Sequence, residues 1–177
     1  MSLDGKRVAV LIEDDYNLQE FIYPFHRFKE AGATVTVVGT NRTDTFSSHG
    51  NVVKADLKSA DAKVADFDAV IVPGGYAPDK MRRDADLVQF VHDMDAAGKP
   101  VAAICHAGWM LVSAKVLQGR QATSFYSIRD DVEAAGAKWS DEEVVVDGNL
   151  ITSRTPADLP AFCKAVIAAL NPVPATT

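Results

Sequence analysis

The sequence predicts an α/β fold, a mostly parallel sheet covered by helices on both faces. Three observations carry that prediction. Val8–Ile12, Ala69–Val72 and Val101–Ile104 are continuous β-branched and aliphatic runs, the pattern of strands buried on both faces. These runs alternate with segments of helical period, the order that builds parallel strands joined by crossover helices. A length of 177 residues with 47% hydrophobic and 24% charged residues suits one ordinary globular domain.

Val8–Ile12 opens the fold as a buried strand. Leu18, Phe21, Ile22, Phe25 and Phe28 then recur at helical spacing, which predicts a helix from about Asn17 to Ala31, with Pro24 inside it and Gly32 as its stop. Val35–Val38 is the next strand. Residues 39–65 lack a regular period and are expected to form a β-excursion and a short helix. Ala69–Val72 is a strand broken by Pro73-Gly74-Gly75. A helix from about Asp84 to Ala97 should turn Leu87, Phe90, Val91 and Met94 inward. Strand Val101–Ile104 leads into a helix from about His106 to Ala114, and a further helix is expected over Ile128–Ala135, stopped by Gly136. Val144–Val146 and Leu150–Thr152 flank Asp147-Gly148-Asn149 as a hairpin. Leu159, Phe162, Val166, Ile167 and Leu170 mark a last helix. One domain over residues 1–171 and a flexible tail over 172–177 follow, with no repeat or linker.

Composition narrows the function. A net charge of −6 argues against nucleic-acid partners, which need a basic surface, and against anionic membranes. No run of about 18 apolar residues could span a bilayer. The first residues lack a basic-then-apolar leader, so the expected compartment is the cytoplasm. Two cysteines, Cys105 and Cys163, make no disulfide framework, and metal-ligand spacings are absent.

Cys105 stands where chemistry is expected. In open α/β sheets, ligands bind beyond the carboxyl ends of the strands. Cys105 ends a buried strand, begins a turn and is followed by His106, with Ala107 and Gly108 leaving room for close backbone packing. This is the placement of a nucleophile elbow. The N-terminus of the next helix should favour a thiolate, and His106 would serve as base or imidazolium partner. The alternative is a small buried hydrophobe. Cys163, on the inward stripe of the last helix with no histidine beside it, fits that description.

The chain resembles the PfpI-type intracellular proteases of the ThiJ/PfpI superfamily, which have the class I glutamine amidotransferase-like fold. The resemblance runs through Glu20–Arg27, Phe67–Gly75, Gly98–Ala102, Ala103–His106, Asp130–Val132, Glu143–Gly148 and Thr152–Leu159. It implies a flavodoxin-like three-layer sandwich, with Cys105 as nucleophile, His106 beside it, and neither metal nor organic cofactor. It also implies that an acid from a neighbouring subunit completes a triad. The matching position in Pro73-Gly74-Gly75-Tyr76-Ala77-Pro78-Asp79 is Asp79. The protein would then be a homo-oligomer, at least a dimer, with its active site at a subunit interface. The other role open to Asp79 is a helix cap. Backbone N–H groups near Gly75 and His106 are candidates for an oxyanion hole.

The chain also departs from that pattern. The resemblance implies a glutamate near the cysteine at a position that falls on Asn17. Asparagine donates a hydrogen bond but cannot shuttle a proton. That weakens readings that depend on proton transfer, including action on glyoxal-type aldehydes. Glu13 and Asp15 are the nearby acids, and Glu20 is assigned a structural place on its helix. Tyr76 stands where an arginine is expected, Phe125 where a tyrosine is, and Trp109 where a polar residue is, so the pocket should be unusually aromatic. Arg154 is assigned a structural ion pair. The leading expectation is a cytosolic cysteine hydrolase acting on amide or peptide carbonyls of a peptide or small molecule. Cys105, His106 and Asp79 are its catalytic set, and Gly75, Tyr76, Asn17 and Phe125 its oxyanion and substrate contacts. The alternatives are a cofactor-free glyoxalase or deglycase-type enzyme, and a non-catalytic oxidative-stress or chaperone-like protein.

Overall fold

A computed structural model describes residues 2–171; the tail expected over 172–177 lies outside the described residues. The chain runs β1 (Arg7–Ile12), α1 (Leu18–Glu30), β2 (Thr34–Gly39), β3 (Thr45–Ser48), β4 (Asn51–Lys54), β5 (Leu57–Lys58) and β6 (Ala69–Val72). It continues with α2 (Ala77–Met81), α3 (Ala85–Ala96), β7 (Val101–Ile104), α4 (Gly108–Ala114), β8 (Gln121–Ala122), α5 (Arg129–Ala134), β9 (Lys138–Trp139), β10 (Val144–Asp147), β11 (Leu150–Ser153) and α6 (Leu159–Leu170). Seven strands form the central sheet in the order β10-β11-β7-β6-β1-β2-β5, all parallel except the β10–β11 pair.

The three apolar runs are its centre. Every residue of β6 and β7, and all of β1 after Arg7, is buried, because helices cover both faces. On one side α1 packs on α6; on the other α3 and α2 pack on α4, which packs on α5. This is the expected sandwich. Leu87, Phe90, Val91 and Met94 are the buried residues of α3, and the Asp84 carboxylate caps that helix by accepting from the Leu87 N–H at 3.0 Å. The irregular span resolves into the β3–β4 hairpin, β5 and two 3₁₀ turns. The β10–β11 hairpin turns through Gly148 and Asn149, with Asp147 paired to Leu150.

Three details differ from expectation. The helix expected from His106 begins only at Gly108, because Cys105–Ala107 is a 3₁₀ turn. A 3₁₀ turn over Tyr126–Ile128 likewise precedes α5. The stripe on α1 is rotated: Glu20, Phe21, Pro24 and Phe28 are its buried residues, while Leu18 and Ile22 face outward. The outer face of α1, with Ile22, Tyr23 and His26, lines a wide groove.

Candidate active site

Cys105 is at the carboxyl end of β7, next to the central strand pair, with φ of +62°. A residue with a Cβ pays for the left-handed region, so this conformation marks a strained elbow rather than an ordinary turn. The loop after β8 is tied to it, the Phe125 N–H donating to the Cys105 carbonyl at 3.2 Å. Gly108 is required beside it: a Cβ there would come within 2.9 Å of Ile128 Cδ1 and 3.1 Å of Val132 Cγ2, where α4 meets α5. The side chain is largely buried, with 7% of the residue exposed.

The turn after β6 forms the facing wall. Asn17 N–H donates to the Gly74 carbonyl at 3.1 Å and Tyr76 N–H donates to the Asp15 carbonyl at 3.0 Å, so the loop after β1 and the Pro-Gly-Gly turn are laced together. Gly75 has φ of +75°, and a Cβ there would strike the Asn17 nitrogen and Asp15 oxygen, each at 2.5 Å. That lacing turns the N–H of Gly75 toward the sulfur, where the N–H of His106 joins it. The two donors expected near Gly75 and His106 therefore converge on Cys105.

The acid at this site is Glu20, and two sequence expectations are corrected. Asn17 is not a pocket residue. It is the N-cap of α1, its Oδ1 accepting from the N–H groups of Gln19 and Glu20 at 3.0 and 3.3 Å. Glu20, one turn on and expected to have only a structural place on the helix, carries its carboxyl to the cysteine turn. It is fully buried, and its Oε2 accepts from the Gly74 N–H at 2.8 Å. A Cβ placed on Gly74 would lie 2.5 Å from Glu20 Oε2 and 2.8 Å from Cys105 Cβ, which shows how tightly acid, glycine and cysteine are wedged. The signal that could have found Glu20 is its place on the same helical side as Phe21, Pro24 and Phe28. Glu13 and Asp15 belong elsewhere. Glu13 is held by Thr40 Oγ1 at 2.5 Å and Arg42 at 2.6 Å, and Asp15 by Lys80 at 2.6 Å.

Electrostatics follow from burial. Burial raises the Glu20 carboxyl to about 7, against the opposing hydrogen bonds from the Gly74 N–H and the Cys105 thiol. Burial and the neighbouring Glu20 charge push the Cys105 thiol up to about 12, against the pull of the His106 and Gly75 N–H groups. Burial and the neighbouring carboxylate thus oppose the free thiolate expected at a helix N-terminus. Desolvation and a carboxylate in contact outweigh a seven-residue helix that begins one turn later. Because the charge of one opposes the charge of the other, the acid and the sulfur titrate as a coupled dyad. Burial shifts His106 down, which favours the neutral imidazole over the imidazolium.

The His106 ring bridges two groups. Nδ1 lies 3.3 Å from Cys105 Sγ and Nε2 lies 3.3 Å from Ser127 Oγ, a contact that the sequence did not suggest. Phe125, Trp109 and Tyr76 surround the imidazole, with ring centroids 4.9, 5.1 and 5.7 Å away. The aromatic pocket expected at 76, 109 and 125 is thus assembled around the histidine. Asp79 is exposed in α2 and makes no hydrogen bond to His106 within the chain; Tyr76, not Asp79, is the N-cap of that helix. Arg154 takes its structural role, donating to Asp158 at 3.0 and 3.1 Å and to Asp141 at 2.7 Å. Cys163 is buried in α6, and burial pushes its thiol up to about 12.

Residues 6–169, which include every element of this site, match the DJ-1/PfpI family. The chain belongs to that family. It is 43% identical over 165 residues to a deglycase of Pyrococcus abyssi, covering 93% of this chain and 99% of that protein. It is 42% identical over 170 residues to General stress protein 18 of Bacillus subtilis, covering 94% and 99%. A crystal structure of a two-domain protein of Anabaena variabilis, with DJ-1/ThiJ/PfpI-like and ferritin-like domains, superposes at a TM-score of 0.91 and 43% identity. That match covers 94% of this chain and 48% of the larger one, so this chain spans about half of that relative's length. These comparisons show the family and its class of cysteine-based enzymes; they bring no particular substrate with them.

Proposed function

We propose that the protein is a cofactor-free, cysteine-dependent enzyme of the glyoxalase or deglycase type, acting on α-oxoaldehydes or on the adducts they form with amino and thiol groups. One observation carries this reading: a fully buried glutamate is wedged with Gly74 against the cysteine, where burial raises its carboxyl to about 7. A group of that pKa both takes and returns protons at neutral pH, which is what such chemistry asks of a general acid-base catalyst. Asparagine at the expected proton-shuttle position weighed against the aldehyde reading; with Glu20 buried against Gly74 instead, that objection no longer applies.

The chemistry balances without an oxidant or reductant. The Cys105 thiol adds to the aldehyde carbon, a C–S bond forms, and the thiol proton passes through Glu20 to the aldehyde oxygen. Glu20 then removes the hydrogen on that carbon as a proton and returns it to the neighbouring carbonyl carbon, while the hydroxyl proton on the first carbon passes to the neighbouring carbonyl oxygen, leaving a thioester of a 2-hydroxy acid. Water cleaves the C–S bond, the sulfur regains its proton, and the 2-hydroxy acid leaves. The N–H groups of Gly75 and His106 favour negative charge on the sulfur and on oxygen beside it. The test is methylglyoxal consumption with lactate release. Turnover by the wild type and none by Cys105→Ala or Glu20→Gln is expected. Wild-type turnover no faster than that of Cys105→Ala ends the proposal.

A second reading, amide or peptide hydrolysis, is favoured by the 3.3 Å contact of His106 with the sulfur. It needs Asp79 of a second subunit to orient the imidazole, and so a homo-oligomer. Loss of peptide or amide cleavage in Asp79→Ala, together with retained aldehyde turnover, would mark that activity as separate.

A further inference from the structure

Tyr76 and Tyr126 are 66% and 73% exposed, although large aromatic rings gain most from burial. They come from different segments, Tyr76 from the turn after β6 and Tyr126 from the loop after β8, yet each belongs to the ring cluster at the sulfur. Tyr76 is 5.7 Å from the His106 ring, while Tyr126 is 4.6 Å from Phe125, which stacks on His106 at 4.9 Å and 29°. Trp109, from α4, closes another side at 5.1 Å and is fixed by its indole N–H, which donates to Asp131 at 2.8 Å. These separations are those of interacting aromatic pairs, so the rings are arranged as a surface and not scattered. Phe125 and Tyr126 also form one wall of a cavity of about 320 Å³ bounded by Ser124, Asp141, Arg154 and Thr155. Its cation, Arg154, is committed to Asp158 and Asp141, so no free charge at this wall selects an acid.

We infer that this aromatic rim is a substrate subsite, and that the enzyme prefers carbonyl substrates bearing a flat aromatic substituent over small aliphatic ones. The inference deepens the aldehyde reading and rests on it for the reactive end of the substrate. A carbonyl at Cys105 leaves its substituent beside His106, where the rim supplies π-faces and the nearby charges of Asp131, Arg154 and Asp141 are already engaged with protein partners. The resemblance implies arginine at 76 and a polar residue at 109, and the rings at these places are where this chain departs.

The test compares phenylglyoxal with methylglyoxal. The ratio of their kcat/KM values, aromatic over aliphatic, should fall about two- to tenfold in Tyr76→Ala and in Tyr126→Ala, the span of an aromatic contact. Comparing each variant with the wild type cancels the intrinsic difference between the aldehydes. An unchanged ratio in both variants overturns the inference while leaving the aldehyde reading intact. A measurement independent of turnover uses acetophenone, which carries the ring but no aldehyde. With only two tryptophans in the chain, the indole N–H resonance of Trp109 is assigned by its loss in Trp109→Phe. It should shift with acetophenone and not with acetone at equal concentration. A shift without any aldehyde turnover would uphold the subsite and reject the aldehyde reading. No shift, as when a second copy of the chain covers the rim, overturns the subsite.

Discussion

Glu20→Gln should make the protein more stable as well as inactive, and by an amount that depends on pH. An ordinary glutamate titrates at 4.5, whereas Glu20 titrates at about 7, so the folded protein holds this proton more tightly than the unfolded chain. Between those values the unfolded chain ionises first, and folding stability falls as pH rises through the window. Below 4.5 nothing is lost; above about 7 the full penalty of an ionised buried carboxylate is present. Each pH unit is worth about 1.4 kcal/mol, which gives a plateau of about 3 kcal/mol. Glutamine matches glutamate in shape, keeps an oxygen for the Gly74 N–H, and never ionises. Urea denaturation at pH 5.5 and pH 8 is the assay. The advantage of Glu20→Gln over the wild type should grow by about 2 kcal/mol between the two. A difference that stays constant with pH would refute the reasoning, because it would mean that Glu20 is charged in both states or in neither.

Other expectations follow from the same geometry. The dyad is competent with one proton, so kcat/KM for an aldehyde should rise with pH through about 7; a flat profile from pH 6 to 8 contradicts that assignment. Gly74→Ala should abolish activity at least a hundredfold while the protein still folds, since the new Cβ would press on Glu20 Oε2, Cys105 Cβ and the Ile104 carbonyl at 2.5–2.9 Å; circular dichroism and turnover together check this. Arg154→Ala should cost about 2–3 kcal/mol in denaturation at pH 7, because it strands Asp158, which is 6% exposed. Burial alone would raise the Asp158 carboxyl, but Arg154 holds it below the ordinary range; the stability it confers is present at neutral pH, is lost as pH falls through that lowered value, and should be missing from the variant. Cys163→Ser should leave turnover unchanged, and mass spectrometry should find Cys163 alkylated only on unfolding.

Much of the fold was legible because its strongest signals are long and redundant. The runs of β1, β6 and β7 could only be strands with both faces covered, and the inward residues of α3 fall where their spacing puts them. The two-residue strands β8 and β9 are too short to show any period. The candidate nucleophile was legible because a cysteine at a strand end is rare and local. The acid was not. In α1 the outward residues Leu18 and Ile22 are apolar and the inward Glu20 is charged, so hydrophobic periodicity pointed the wrong way at the one position where the site overrides it. Asn17, three residues earlier, carried a capping signal that was read as chemistry. Ser127 touches His106 only through the loop after β8, a contact between residues 21 apart that no local pattern encodes.

The glycine wedge at Gly74 also fixes a direction. Around Gly74 the Glu20 carboxyl, the Cys105 Cβ and the Ile104 carbonyl leave no space even for a methyl group. The same close fit that seats the acid against Gly74 therefore closes that side of Cys105 to anything bonded to it.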